Sequence, residues 1–188
     1  MNLENTRGRA GCLAGYVYSG TIENCKIDMP ISQTGWNTCG YIGGVIGSIE
    51  EKGSIEYCIH KGNIDYTQSG PQGSNRTNPS IGGIAGSSGA DISFCENYSI
   101  INISLPKRIS EGGTIGGGGV NVGGIVGYVY YKKGTYNYCK SIANFNVTDE
   151  TLDAFYNFPL EFGYRIGGIV GSTQDSKSVV NCYSSVLD

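Results

Sequence analysis

Ile166-Gly167-Gly168-Ile169-Val170-Gly171 is the fifth appearance of one phrase in this chain. It is preceded by Ala10-Gly11-Cys12-Leu13-Ala14-Gly15, Ile42-Gly43-Gly44-Val45-Ile46-Gly47, Ile81-Gly82-Gly83-Ile84-Ala85-Gly86 and Val122-Gly123-Gly124-Ile125-Val126-Gly127. A phrase that returns this faithfully marks a repeat architecture, in which each unit buries its apolar side against its neighbours. After each phrase comes a second element that ends in cysteine: Ile22-Glu23-Asn24-Cys25, Ile55-Glu56-Tyr57-Cys58, Ile92-Ser93-Phe94-Cys95, Tyr136-Asn137-Tyr138-Cys139 and Val179-Val180-Asn181-Cys182. The two elements travel as a unit.

Beyond the cysteine, Gly62, Ser99 and Ala143 align as small turn residues. They are followed by Asn63-Ile64-Asp65-Tyr66, Ile100-Ile101-Asn102-Ile103 and Asn144-Phe145-Asn146-Val147. Apolar and polar residues alternate there, as in a strand with one buried face. The reading is therefore an all-β chain with three short strands per repeat, wound as a right-handed parallel β-helix or β-solenoid of about five coils. The repeats run over about 10–31, 42–66, 81–103, 122–147 and 166–188, in a single domain.

Stacking turns equivalent positions into columns, so Cys25, Cys58, Cys95, Cys139 and Cys182 are expected to form an inward ladder. Ile22, Ile55, Ile92, Tyr136 and Val179 should lie beside it, and Ile31, Ile64, Ile101 and Phe145 form a third column. At about 4.8 Å per coil the core is roughly 24 Å long. Alternation within Ile-Gly-Gly-Ile-Val-Gly puts either the first Ile or the following Gly inward. The glycines are expected to supply positive φ and close backbone approach at a corner.

Composition agrees with strands. Glycine numbers 31 and tyrosine 14 in 188 residues, and charged residues make up only 15%, well below the quarter usual in globular domains. The net charge is −3, and the longest basic clusters are the pairs Lys132-Lys133 and Lys107-Arg108, so nucleic acid and anionic membrane are poor partners. No apolar run reaches the roughly twenty residues of a membrane span, and the N-terminal residues do not read as a signal peptide. The early start of the repeats suggests a trimmed or mature piece of a longer chain.

Where the repeats disagree, the segments 32–41, 67–80, 104–121 and 148–165 read as insertions. The Gly, Pro and Ser content of 67–80 and the run Gly116 to Gly119 point to loops. Early acids and the spacing of Leu152, Phe155 and Tyr156 point to one short helix over 149–157. Loops on a rigid scaffold are where binding tends to sit. Tyr128, Tyr130 and Tyr131, with Tyr136 and Tyr138 nearby, and Phe155, Tyr156, Phe158, Phe162 and Tyr164 in the last insertion are the candidate binding aromatics, suited to sugar rings or a protein partner. The same aromatics could instead serve as core or as pins that hold loops to the rod.

With Gly167 to Gly171 followed by Val180-Asn181-Cys182-Tyr183, the chain resembles the GLUG-motif repeat family across nearly all of its length, from about Ala10 to Val186. Cys12 departs from the motif at the second glycine, and Tyr57, Phe94 and Tyr138 depart at the asparagine before the cysteine. The resemblance implies a structural or adhesive role in secreted or surface-attached bacterial proteins, with no catalytic residues to carry over.

Seven cysteines first suggest disulfides, but five share one repeat position, and in-register strand neighbours are poorly oriented for a bridge. They read as buried free thiols; a Cys12 to Cys39 bridge stays open. No Cys-x-x-Cys pair exists and His60 is the only histidine, so zinc is disfavoured. His60 reads as a solvated turn residue rather than a base for Cys58. The glycine phrases lack the Lys-Ser/Thr of a phosphate loop, and the spacing of calcium-binding β-rolls is absent, so no cofactor is expected. Carboxylates on the strands, such as Glu23, Glu56, Asp65 and Glu96, are scattered, which argues against a polysaccharide lyase or hydrolase. Asn75, Asn97, Asn102 and Asn146 head glycosylation sequons attributed to composition.

The expected function is a non-enzymatic extracellular or cell-surface module, adhesin-like, binding a glycan or a host or neighbouring protein through its insertions, or serving as a rigid spacer. The alternative is a self-associating, filament-forming solenoid subunit.

Overall fold

The computed structural model describes residues 1–4, 8–35, 40–68, 79–105, 120–130, 134–149, 165–173 and 178–186. Among these residues the chain is all-β, without helix, and every strand pairing is parallel. No helix among them is long and apolar enough to cross a membrane.

Among the described residues there are four sheets; three take one strand from each successive repeat in chain order, and the third in chain order takes one or two. The first consists of Asn2–Glu4, Ile31–Gly35, Ile64–Gln68, Ile100–Leu105 and Asn144–Asp149. The second holds the opening of each glycine phrase, from Gly8–Gly11 through Gly40–Gly43, Ser80–Gly82 and Asn121–Gly123 to Arg165–Gly167. The third has eight strands. It contains the rest of the phrase and the segment leading to the cysteine, which are continuous in Ala14–Glu23 and Ile46–Glu56 and divided in two in the later repeats. The fourth follows the cysteine: Lys26–Ile27, Ile59–His60, Glu96–Asn97, Lys140–Ile142 and Tyr183–Ser185. One repeat's contribution to the sheets is called a row below.

The expectation of three strands per repeat is corrected to more, because both the glycine phrase and the cysteine element break at a corner. A strand at Asn2–Glu4, pairing with Ser32, Gln33 and Thr34, also precedes the first phrase.

Register makes the columns. Ile31, Ile64, Ile101 and Phe145 are lateral neighbours, as are Ile22, Ile55, Ile92, Tyr136 and Val179. In the middle rows these positions are fully buried, except for the partly buried Phe145, and they fall in two clusters: one around the cysteines, the other against the first and second sheets. The first residue of the phrase is the inward one, since Ile42, Ile81 and Val122 are buried in the second cluster. Alternation restarts after the corner, so Val45 and Ile46, like Ile84 and Ala85, are buried side by side.

The phrase needs glycine for close approach. A Cβ on Gly43, Gly82 or Gly123 would collide with the carbonyl three residues on, across the corner. One on Gly47, Gly86 or Gly127 would strike the backbone of the preceding row's second-sheet strand. One on Gly44, Gly83 or Gly124 would strike the next row's glycine carbonyl and also a side chain from the fourth sheet: His60, Asn97 or Ser141. Positive φ is recorded at Gly8 and Gly20, not at the phrase glycines; that part of the expectation is corrected.

The insertions are shorter than their sequence suggested: they begin later, and they end earlier, at the strands that open with Gly40, Ser80, Asn121 and Arg165. The first sheet runs into them as far as Gly35, Gln68, Leu105 and Asp149. Of the expected helix at 149–157, Asp149 closes a strand and the rest lies outside the described residues.

Candidate functional site

The site begins with a backbone feature. The residue before each cysteine takes the left-handed conformation: Asn24 at φ 57°, Tyr57 at 52°, Phe94 at 53°, Tyr138 at 52° and Asn181 at 53°. Asparagine tolerates this conformation well, whereas in a bulky residue it is an outlier costing about 1 kcal/mol. The turn aims each thiol back at the carbonyl two residues earlier. Cys25 Sγ donates to Glu23 O at 3.3 Å, Cys58 to Glu56 O at 3.3 Å, Cys95 to Ser93 O at 3.3 Å, Cys139 to Asn137 O at 3.5 Å and Cys182 to Val180 O at 3.4 Å. The last four also reach a carbonyl of the preceding row, Ile22, Ile55, Ile92 and Tyr136, at 3.5–3.7 Å.

A small, soft S–H donor inside the apolar core thus stabilises the corner, which explains cysteine at this position. All five carry free thiols, with Cys58, Cys95 and Cys139 buried and Cys25 and Cys182 half-buried. Burial pushes the Cys139 pKa up to about 12. The hydrogen bond with Cys58, with burial behind it, raises that of Cys95. Neither thiol is a nucleophile near neutral pH.

The same corner turns the middle-row aromatics outward. Tyr57 and Phe94 stack with ring centroids 4.8 Å apart and planes 4° from parallel. Phe94 and Tyr138 follow at 5.1 Å and 8°. The three rings are 50%, 41% and 50% exposed. Their faces cover one another, so the strip presents ring edges to solvent. Ring edges carry the positive end of the aromatic quadrupole and attract oxygen acceptors or the face of another ring.

The strip continues onto the outer face of the fourth sheet. Alternation puts Ile59 and Lys61 after Tyr57, Glu96 and Tyr98 after Phe94, and Lys140 and Ile142 after Tyr138 on that side. Tyr98 lies between two ammonium groups, Lys61 Nζ at 5.5 Å and Lys140 Nζ at 5.4 Å from its ring centroid. Its hydroxyl donates to Glu96 Oε2 at 2.5 Å, and that bond, ahead of burial, raises its pKa. The arrangement is a flat amphipathic face of ring edges, aliphatic carbon, two lysines and one carboxylate.

The other sequence candidates fall elsewhere. Tyr128 and Tyr130 are half-buried; Tyr130 Oη donates to Ile49 O at 3.1 Å and lies 3.2 Å from Ser48 Oγ, which pins it against the strand Ile46–Glu56. Burial raises its pKa. Tyr136 is core and donates to Ser88 O at 3.4 Å. Tyr131, Phe155, Tyr156, Phe158, Phe162 and Tyr164 lie outside the described residues. The aromatic strip was missed as a unit because only the residue before the cysteine reveals it. Asn24 and Asn181, in the same register, were the available signal for a left-handed turn.

His60 is not a solvated turn residue. It is fully buried on the inner face of Ile59–His60, with Nδ1 3.3 Å from Asn97 Oδ1. It belongs to an interior column with Ile27, Asn97, Ser141 and Ser184, across from the second glycine of each phrase. The side chain fits because that glycine has no Cβ. Burial lowers its pKa, partly opposed by the Asn97 hydrogen bond. In the first row Cys12 replaces the glycine; its thiol is free and donates to Met29 O at 3.3 Å, while Cys39 lies outside the described residues.

The sequons at Asn102 and Asn146 have a structural origin. Asp65, Asn102 and Asn146 share one outward column of the first sheet, and Thr67, Ser104 and Thr148 share the column two residues on, so stacking itself generates Asn-x-Ser/Thr. Asn102 Nδ2 donates to Asp65 Oδ1 at 2.6 Å and Asn146 Nδ2 to Asn102 Oδ1 at 2.8 Å. Asn97 is buried and closed to modification.

Among the described residues no group of three or more His, Cys, Asp or Glu is placed to hold a metal ion. Comparisons with known protein families, with curated proteins and with solved structures gave no match.

Proposed function

We propose that the chain is a right-handed parallel β-solenoid, related to the GLUG-motif repeats, that works as a non-enzymatic extracellular or cell-surface module and holds an extended glycan or protein partner along its side. Four parallel sheets to which every repeat contributes strands in register with the repeat before support the solenoid. The binding reading rests on one observation: the middle rows carry Tyr57, Phe94 and Tyr138, half exposed, at a left-handed position where the end rows carry asparagine. Strain retained at an exposed residue when a relaxed alternative exists points to selection for something other than stability.

The test follows from the same comparison. The triple variant Tyr57→Asn, Phe94→Asn, Tyr138→Asn places at every corner the residue that two corners already hold. It should fold with an unchanged or raised Tm and lose binding on a glycan and matrix-protein array. Equal binding by the triple variant, alongside loss in a chain lacking 150–164, would move the site to the insertion.

A further inference from the structure

We infer that the partner held along the aromatic strip is a linear, uncharged polysaccharide that runs parallel to the stacking direction and seats one sugar per row. This rests on the side-on binding proposed above and names what is bound. Phe94 stands 4.8 Å from Tyr57 and 5.1 Å from Tyr138 in nearly parallel planes, so the strip offers the same contact, a ring edge, once per row. An occupant that uses all three rings must repeat at that interval. An extended peptide advances about 3.3 Å per residue and returns a side chain to the same face only every ~6.7 Å, so it falls out of step by the second ring. An α-helix, at about 5.4 Å per turn, stays closer, but a helix lays its apolar stripe into a groove, and the strip is a single file of edges. A pyranose joined through opposite ends of its ring advances by close to one row spacing and keeps pace with all three.

Charge points the same way. The fourth-sheet side of the strip holds Lys61, Glu96 and Lys140, and Glu56 borders it at the end of the strand Ile46–Glu56. Two carboxylates meet two ammonium groups, and they are interspersed, with Glu96 directly beside Lys140. A polymer of one sign therefore finds a repelling group for every attracting one, and nothing steers it to this face. Hydrogen bonding selects a ligand rich in hydroxyl groups. Among the described residues the hydroxyls of Tyr57 and Tyr138 have no hydrogen-bond partner, although both rings are half exposed. A phenol both donates and accepts, as a sugar hydroxyl does, and the ring edges between them attract sugar oxygens.

Isothermal titration calorimetry on the full chain tests this, with β-1,4-linked oligomers of glucose, N-acetylglucosamine and mannose of two to six units. The same glucose oligomers oxidised to uronic acids form the charged series. Affinity for a neutral series should rise about tenfold from the dimer to the tetramer and then level off, because three rings are covered. The uronic acids should bind no more tightly, and ring proton signals of Tyr57, Phe94 and Tyr138 should shift together as the tetramer is added. Absence of binding by every neutral oligomer, tighter binding by the uronic acids, or ring signals that do not move would overturn the proposal. The side-on reading is judged separately. A matrix protein that binds the wild-type chain but not the asparagine triple variant, with no oligomer bound, removes the polysaccharide and leaves that reading standing. Neutral oligomers bound equally by the triple variant remove both.

Discussion

The middle rows and the end rows carry the same sequence signal and lead different physical lives. Ile92 and Val179 occupy one column, and Gly83 and Gly168 another, yet the first of each pair has a packed neighbour on both sides and the second on one. In a stack each repeat contacts only its neighbours, so the energy of a residue is set as much by its row number as by its identity. The end rows also carry the relaxed asparagine corners, and the middle rows the strained aromatic ones. Stability thus concentrates where strain can be tolerated.

Glycine should show the largest contrast. A methyl at Gly83 meets the Gly124 carbonyl and the Asn97 side chain, while at Gly168 it meets only the Ser184 side chain. Gly83→Ala should therefore destabilise by about 3 kcal/mol and Gly168→Ala by under about 1 kcal/mol, read from urea midpoints at constant m-value. Equal losses would mean that the rows are not stacked as described.

A smaller contrast comes from pH. His60 is the only histidine and sits in a middle row, faced by Ile27 and Asn97 in its column, Gly44 opposite, and the attraction of the Asp28 charge. Burial holds its pKa below the ordinary 6.5, so between the folded value and 6.5 the unfolded chain binds more protons. Stability should fall as pH drops from 7 through that window and level off below it. His60→Asn, which matches the neighbouring Asn97, should flatten that slope; an unchanged slope in the variant would show that other groups carry it.

Much of this was legible because the repeat is a physical device. The cysteine position, the isoleucine columns and the all-parallel β character follow from stacking like on like, and a stack reports its period in the sequence. The corners were less legible. The glycine phrase looks like a site of positive φ, but its glycines answer to backbone crowding, and the left-handed turn falls instead on Asn24, Tyr57, Phe94, Tyr138 and Asn181. Breaking the strand there also flips the expected environment of His60, which turns inward against Gly44 rather than out to solvent. Tyr136 and Tyr138 lie two residues apart and end on opposite sides of the wall for the same reason.

Nuclear Overhauser contacts between side chains test the row stacking most directly. Ring protons of Phe94 should show contacts to both Tyr57 and Tyr138, with no direct contact between the two tyrosines, and Ile92 should contact Ile55 on one side and Tyr136 on the other. Absence of the Phe94 contacts, or Ile92 contacts matching an antiparallel register, would contradict it.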